Sequence, residues 1–345
     1  MPRRTRFQKI RQSRPFLLIC LTILVLLILI FVRGFEVFNA GNATQLMMSL
    51  SFVGLFVIAM ACLLMSGGFD FSLASQATFG TLIFVELCIR NQGVHWLVFA
   101  LVAILIGAAL GSINAFFSQV LNLMPFICTI AISSVWAGIS AWWTGGLVKT
   151  INDASFSSVA TARVFGSPIP WTFIFMLAVM VLYSLMFKYT RFGRSVIVAG
   201  GNPVAARLAG LNPKKIKTLL YINAGVIGMI AGLIYTAQQR TATTTGLSQR
   251  MPEMRGLTSS MLGGVSFMGG SGALTGALFG LILIEVLAFS LQLMGLPAWF
   301  VIFVNGMLLV VALTIDTMST KLRMKRLGLK ASGGGGGMMM PGMSR

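Results

Sequence analysis

The sequence predicts an all-α polytopic membrane protein of about ten transmembrane helices, some of them broken. Three observations carry this. Of the 345 residues, 57% are hydrophobic and only 10% are charged, with a mean hydropathy of +0.89. Soluble domains carry about 25% charged residues, so no solvated surface can be built from this composition and lipid must solvate much of the chain. The apolar residues also fall into runs close to the roughly 20 residues that cross a bilayer. Finally, nineteen of the 26 Lys and Arg residues lie in three segments, 1–14, 188–217 and 319–345, with long apolar stretches between them.

The apolar runs, in order, are 15–32, 45–65, 73–89, 96–118, 126–144 and 171–187, then 218–237, 256–268, 273–294 and 298–318. Six precede the central basic loop and four follow it. Even numbers of crossings put all three basic segments on one side, as the positive-inside rule requires of cytoplasmic loops. The expected organisation is a basic cytoplasmic N-terminus (1–14), a membrane domain (15–318) with a cytoplasmic loop at 188–217, and a basic, low-complexity cytoplasmic tail (319–345). Segment 15–31 is longer than the 7–15-residue core of a cleavable signal and is read as the first span. The loops 145–170 and 238–255 are expected on the opposite side.

The net charge of +19 does not indicate nucleic acid, because the basic clusters flank spans and form no single face. Cys20, Cys62, Cys88 and Cys128 lie within apolar runs, without metal-ligand spacing, and read as small helix fillers. His95, the only histidine, sits beside Trp96 at a span start, where amphipathic rings collect. No metal site and no cofactor are expected. There is no phosphate-binding Gly-x-x-x-x-Gly-Lys-Ser/Thr loop, no Gly-x-Ser-x-Gly elbow and no His-Glu-x-x-His. The chain is expected not to be an enzyme.

Two apolar segments are interrupted. Residues 66–72, Ser-Gly-Gly-Phe-Asp-Phe-Ser, split one stretch, and 256–268 is only thirteen residues long. Such breaks persist only where the backbone is buried in protein or lines a watery path. Gly67-Gly68 is followed by a small-residue helix and Glu86, and Gly269-Gly270 by a similar helix and Glu285, a loose internal correspondence. Four acids lie in or near spans. Asp70, beside glycines in a break, reads first as a path residue, a reading compatible with its also capping the next helix. Glu86 reads as an ion-pair or interfacial residue, Glu285 as a path or packing residue without a cation on its own turn, and Asp316 as interfacial.

The central loop contains a short helix bounded at both ends. Asn202 is a good N-cap, Pro203 suits the first helical position, Gly210 suits the left-handed residue after the last turn, and Pro213 prevents continuation. Two turns bury little against lipid headgroups, so docking to a partner protein is the favoured reading.

The stretch TRFGRSVIVAGGNPVAARLAGLNPKKIK (190–217) resembles the cytoplasmic coupling loop of ribose-type, binding-protein-dependent ABC importer permeases. SGGFDFSLAS (66–75) and MLGGVSFMGGSGALTGALFG (261–280) resemble two further motifs of that family, in the same order. The resemblance covers residues 45–316 and implies the type II importer permease fold. It also implies ABC ATPase subunits, a periplasmic or extracellular solute-binding protein, and a second permease copy forming a homodimer or heterodimer. Gly200, Gly201, Asn202, Pro203, Ala206, Arg207 and Gly210 would couple to the ATPase. Gly67, Gly68, Asp70, Ser72, Gly263, Gly264, Gly269, Gly270 and Glu285 would lie along the translocation path. The implied function is the membrane-spanning subunit of an ATP-driven importer of a sugar or similar small polar solute, in a bacterial inner membrane.

The chain departs from the family pattern at Pro203 (often acidic), at Phe69 and Phe71 (usually smaller aliphatics), at Leu73-Ala74 (usually Val-Gly) and at Arg255 (usually Asp). The resemblance therefore does not identify the solute. Alternatives are a furanose-type signalling molecule as solute, or an ion-coupled secondary transporter using Asp70, Glu86 and Glu285. The bounded loop helix disfavours the latter.

Overall fold

A computed structural model describes residues 14–326, with side chains for 15–318. The expectations for the extreme N-terminus and the low-complexity tail lie outside the described residues. The first half comprises α1 (Arg14–Arg33), α2 (Ala40–Met65), α3 (Leu73–Arg90), α4 (Trp96–Ala115, continued by a π-turn, Phe116–Val120), α5 (Pro125–Thr144), α6 (Ala154–Thr161) and α7 (Trp171–Tyr189). The central loop forms α8 (Arg191–Gly201) and α9 (Pro203–Leu208). The rest forms α10 (Pro213–Gln239), α11 (Pro252–Leu262), α12 (Leu274–Leu293) and α13 (Ala298–Arg326). Among the described residues, nine helices are long and apolar enough to cross a membrane. The remaining apolar segment, 256–268, already short in the sequence, is not among them: it contributes to the 11-residue α11, with non-helical chain on both sides.

Local signals set the helix ends. Asn39 accepts from Asn42 N–H to cap α2, and His95 Nδ1 accepts from Leu97 N–H to cap α4. Pro125 occupies the first turn of α5, which ends on left-handed Gly145. Asp153 caps α6, and the Ser155 hydroxyl and the backbone N–H groups bonded to it hold its carboxyl below the usual range. Because 145–170 folds into α6 and a short strand, it is not the simple polar loop that its composition suggested.

α2 lies at the centre. From Leu50 to Met65 every residue is buried, as expected of a helix that is apolar all round. α10, α7, α11 and α12 pack around it, and α10 also packs on α4. The α4–α10 contact uses small residues: a Cβ on Gly107 would lie 2.7 Å from the Gly225 carbonyl oxygen. Without a hydrophobic drive between helices in lipid, such close backbone approach is how dispersion holds them together.

The two ends of the bundle are distinct. At one end, β1 (Lys149–Thr150) pairs antiparallel with β2 (Thr241–Ala242), and Glu86 pairs with Arg90 (2.6 Å) and Lys149 (3.2 Å). At the other end, the 66–72 break, the central basic loop, the 263–273 loop and Asp316 of α13 come together. Asp316, read as interfacial, lies at this end, buried within the protein (8% exposed), and accepts from Phe267 N–H.

Candidate translocation and coupling site

The bounded helix forms as its residues dictate. Asn202 Oδ1 accepts from Val204 and Ala205 N–H, both at 3.0 Å, and Pro203 occupies the first turn. Gly210 takes φ +77°, where an L-residue would be strained. Ala206 is buried and its carbonyl accepts from Leu211 N–H, tying the helix to the chain that follows. Val204 and Leu208, one turn apart, are 62% and 87% exposed. The short helix thus turns an apolar stripe outward, with Arg207 beside it.

α8 runs from this helix into the membrane domain, where three glycine pairs meet. A Cβ on Gly200 would collide with the Met65 carbonyl oxygen and lie 2.8 Å from Gly270 N. Gly269, at φ +84°, has room for a Cβ only 2.7 Å from Gly67 N. The Gly270 N–H donates to Met65 O at 3.0 Å, closing the junction with a backbone bond. Lys217 Nζ lies 3.5 Å from Gly67 O, and Tyr221 OH donates to Phe69 O at 3.1 Å. Gly67 and Gly68, Gly200 and Gly201, and Gly269 and Gly270 therefore form one junction at the end of α2. The two broken segments singled out for the path and the loop singled out for coupling touch through backbone. Gly263 and Gly264 lie just beyond α11, and Gly263 abuts Gly276 of α12.

Phe69 and Phe71 have a packing reason at this junction. Phe69 stacks on Phe267 (5.3 Å), and Phe69 and Phe71 meet Phe126 of α5 edge-on, at 6.2 and 5.5 Å. The rings join the break to α5 and to the 263–273 loop, as smaller aliphatics would not. Sequence reasoning did not find Phe126 or Phe267, because an aromatic within an apolar run has no distinguishing signal.

Asp70 is completely buried. Its Oδ1 accepts from Ser72 N–H (2.8 Å) and Ser72 Oγ (2.6 Å), and its Oδ2 accepts from Asn114 Nδ2 (2.6 Å). Gln76 Nε2 donates to Ser72 Oγ at 2.5 Å. The carboxylate closes a turn on Ser72 and reaches across to α4; it makes no capping bond to α3. Asn114 was not singled out in the sequence, although a lone amide within an apolar run was the available signal. Asp70→Asn replaces an acceptor with a donor facing donors. It is expected to lower stability by about 1–3 kcal/mol. Thermal unfolding of the detergent-solubilised chain checks this.

Glu285 has a cation after all, from another helix. Arg255 Nη1 lies 2.9 Å from Glu285 Oε1, and Ser49 Oγ donates to Glu285 Oε2 at 2.6 Å. Both partners are buried, Arg255 9% and Glu285 2% exposed. Residues 252–255 were expected in an exterior loop; they are instead the first turn of α11, inside the bundle. The pair was hidden in sequence because its partners are thirty residues apart. Beside it, the 248–251 turn, α11, α12 and α13 border an open pocket of about 220 Å³, lined largely by apolar side chains such as Met251, Met254, Ile284 and Leu309, with Arg255, Thr258 and Asn305.

Residues 42–313 match the family described as branched-chain amino acid transport system / permease component. The chain belongs to this family. Relatives of this permease include the ribose import permease protein RbsC of Escherichia coli (strain K12), 26% identical over 302 residues, covering 86% of this chain and 92% of that protein. The autoinducer 2 import system permease protein LsrC of Yersinia enterocolitica is 28% identical over 300 residues, covering 86% and 81%. The L-arabinose transport system permease protein AraH of Escherichia coli (strain K12) is 27% identical over 320 residues, covering 89% and 91%. No solved structure matches the chain. The protein is thus a multi-pass permease subunit of an ABC importer, with the all-α architecture that its sequence predicted.

Proposed function

We propose that this permease translocates a sugar or similar small polar solute, delivered by a soluble binding protein, and that ATPase subunits drive it through α9. The observation that carries the reading is the doubly bounded α9, with Val204 and Leu208 exposed on a helix too short to anchor in lipid. An apolar stripe of this kind suits a groove in a partner. The permease has no ATPase site of its own in this reading, so the energy of ATP arrives through Asn202 to Gly210. Closure of two ATPase subunits moves α9 of each of two permease copies, identical or not. The glycine junction passes that motion to the broken segments, and the path opens alternately outward and inward. Both termini and the basic loop then face the cytoplasm of a bacterial cell, in keeping with the positive-inside distribution of charge. The names of the relatives, ribose and L-arabinose import, support a sugar. Similarity to an autoinducer 2 permease supports a second reading, in which the solute is a furanose-type signalling molecule.

Affinity capture of the gently solubilised permease tests this. The wild-type chain is expected to bring down an ATPase subunit. Leu208→Asp is expected to weaken that capture by about 2 kcal/mol, or some 30-fold. Gly210→Pro, which cannot adopt φ +77°, is expected to abolish it. Recovery of the wild-type chain without an ATPase overturns the proposal.

A further inference from the structure

The seam between α3 and α5 carries hydrogen-bonding groups that the fold does not use. The two helices run side by side. Phe71 N–H, just before α3, donates to Thr129 Oγ1 at 3.2 Å, Ser75 Oγ donates to Ser133 Oγ at 3.1 Å, and Phe79 stacks on Trp136 with ring centroids 5.1 Å apart. Ser140 follows one turn beyond Trp136 on the same face of α5. Trp136 Nε1 and Ser140 Oγ are buried without a hydrogen-bond partner. So is Gln76 Oε1, whose amide is held on Ser72 through Nε2. Gln76 is 1% exposed and Ser140 0%. Buried polar groups are almost always paired, and one left unpaired costs stability. For packing alone, leucine, phenylalanine and alanine would serve better at these three positions.

A second observation concerns how α5 is held. It packs chiefly on α3, and its far side turns Val135 and Trp142 outward, 53% and 84% exposed. Its inner end is tied to the 66–72 break, through Thr129 on Phe71 N–H and through Phe126 against Phe69 and Phe71. That break belongs to the glycine junction. A motion passed through the junction therefore reaches α5 at the foot of the seam, and few other contacts oppose its parting from α3.

We infer that the α3–α5 seam is a specificity site for an uncharged polyhydroxylated solute, uncovered as α5 parts from α3, with Gln76, Trp136 and Ser140 as its hydrogen-bonding residues. The inference rests on the sugar-translocating reading above. Gln76 Oε1 accepts from a hydroxyl, Trp136 Nε1 donates to one, and Ser140 Oγ does either. A sugar hydroxyl both donates and accepts, so one solute satisfies all three. The stacked rings of Phe79 and Trp136 give its C–H groups an apolar surface, as aromatic side chains do in small-molecule sites. All three polar groups are neutral, and Asp70 at the inner end of the seam disfavours an anion.

Uptake by the assembled importer in proteoliposomes tests it, with D-ribose, L-arabinose and D-galactose as probes and D-galacturonate as the charged counterpart of galactose. At least one neutral sugar is expected to be taken up. Trp136→Phe keeps the ring and removes the N–H, and Ser140→Ala removes the hydroxyl. Neither group holds anything in the protein, so thermal unfolding of the double variant is expected to match wild type or shift upward. Its ATP hydrolysis is expected to continue while uptake of that sugar falls about tenfold. Trp142→Phe, the same change on the exposed side of α5, is expected to leave uptake unchanged. Wild-type uptake by the double variant overturns the inference, as does a fall in uptake matched by a loss of thermal stability, or uptake of galacturonate in preference to galactose. Uptake of no neutral sugar by the wild-type importer overturns it together with the sugar reading. Failure of ATPase capture refutes the proposed coupling instead, and silent seam variants beside intact uptake refute only this site.

Discussion

Glu285→Ala is expected to destabilise the detergent-solubilised permease by about 3–5 kcal/mol, because it strands Arg255 as an uncompensated buried charge. Arg255 lies in a medium with little water to replace the lost carboxylate, and Ser49 Oγ loses its acceptor as well. The paired replacement Arg255→Met with Glu285→Met is expected to recover most of this loss, since removing both charges also removes both desolvation costs. Chemical or thermal unfolding of the three forms separates the outcomes. A single Glu285→Ala variant as stable as wild type would show that the ion pair does not hold α11 to α12. If the double variant is stable but inactive, the charges serve transport as well as folding.

Gly200→Val is expected to abolish solute uptake by the assembled importer, while Gly201→Ala is tolerated. The contrast is steric. A side chain at Gly200 meets the Met65 carbonyl and the Gly270 N–H, which are backbone groups unable to rotate aside, whereas a Cβ at Gly201 finds Gly270 Cα at 3.4 Å, an ordinary contact. Overpacking typically costs about 1–3 kcal/mol, and here the strain must separate α8 from α2 or from the 263–273 loop. Uptake into proteoliposomes, measured beside ATP hydrolysis, is the check. Hydrolysis that continues without uptake would place the fault in transmission. Normal uptake by Gly200→Val would show that the junction transmits nothing.

Both predictions depend on contacts that sequence order conceals. Gly67-Gly68, Gly200-Gly201 and Gly269-Gly270 were each visible as unusual pairs, and the first and third resembled each other. Their meeting at one point was not visible, because close backbone approach leaves no mark beyond the absence of side chains. Arg255 was noted as out of pattern, and Glu285 as an intramembrane acid. Their pairing required α11 to begin inside the bundle, whereas hydropathy started the apolar run after Arg255.

The sequence by itself determined that lipid solvates much of the chain, where most of the long apolar helices lie and where the loop helix starts and stops. These properties follow from local composition: hydrophobic run length, and an asparagine and a proline before a turn with a glycine after it. Only the tertiary structure decided which glycines touch and which acid neutralises which cation. Those outcomes depend on helices distant in sequence approaching within an ångström or two of contact, and no local signal specifies that distance.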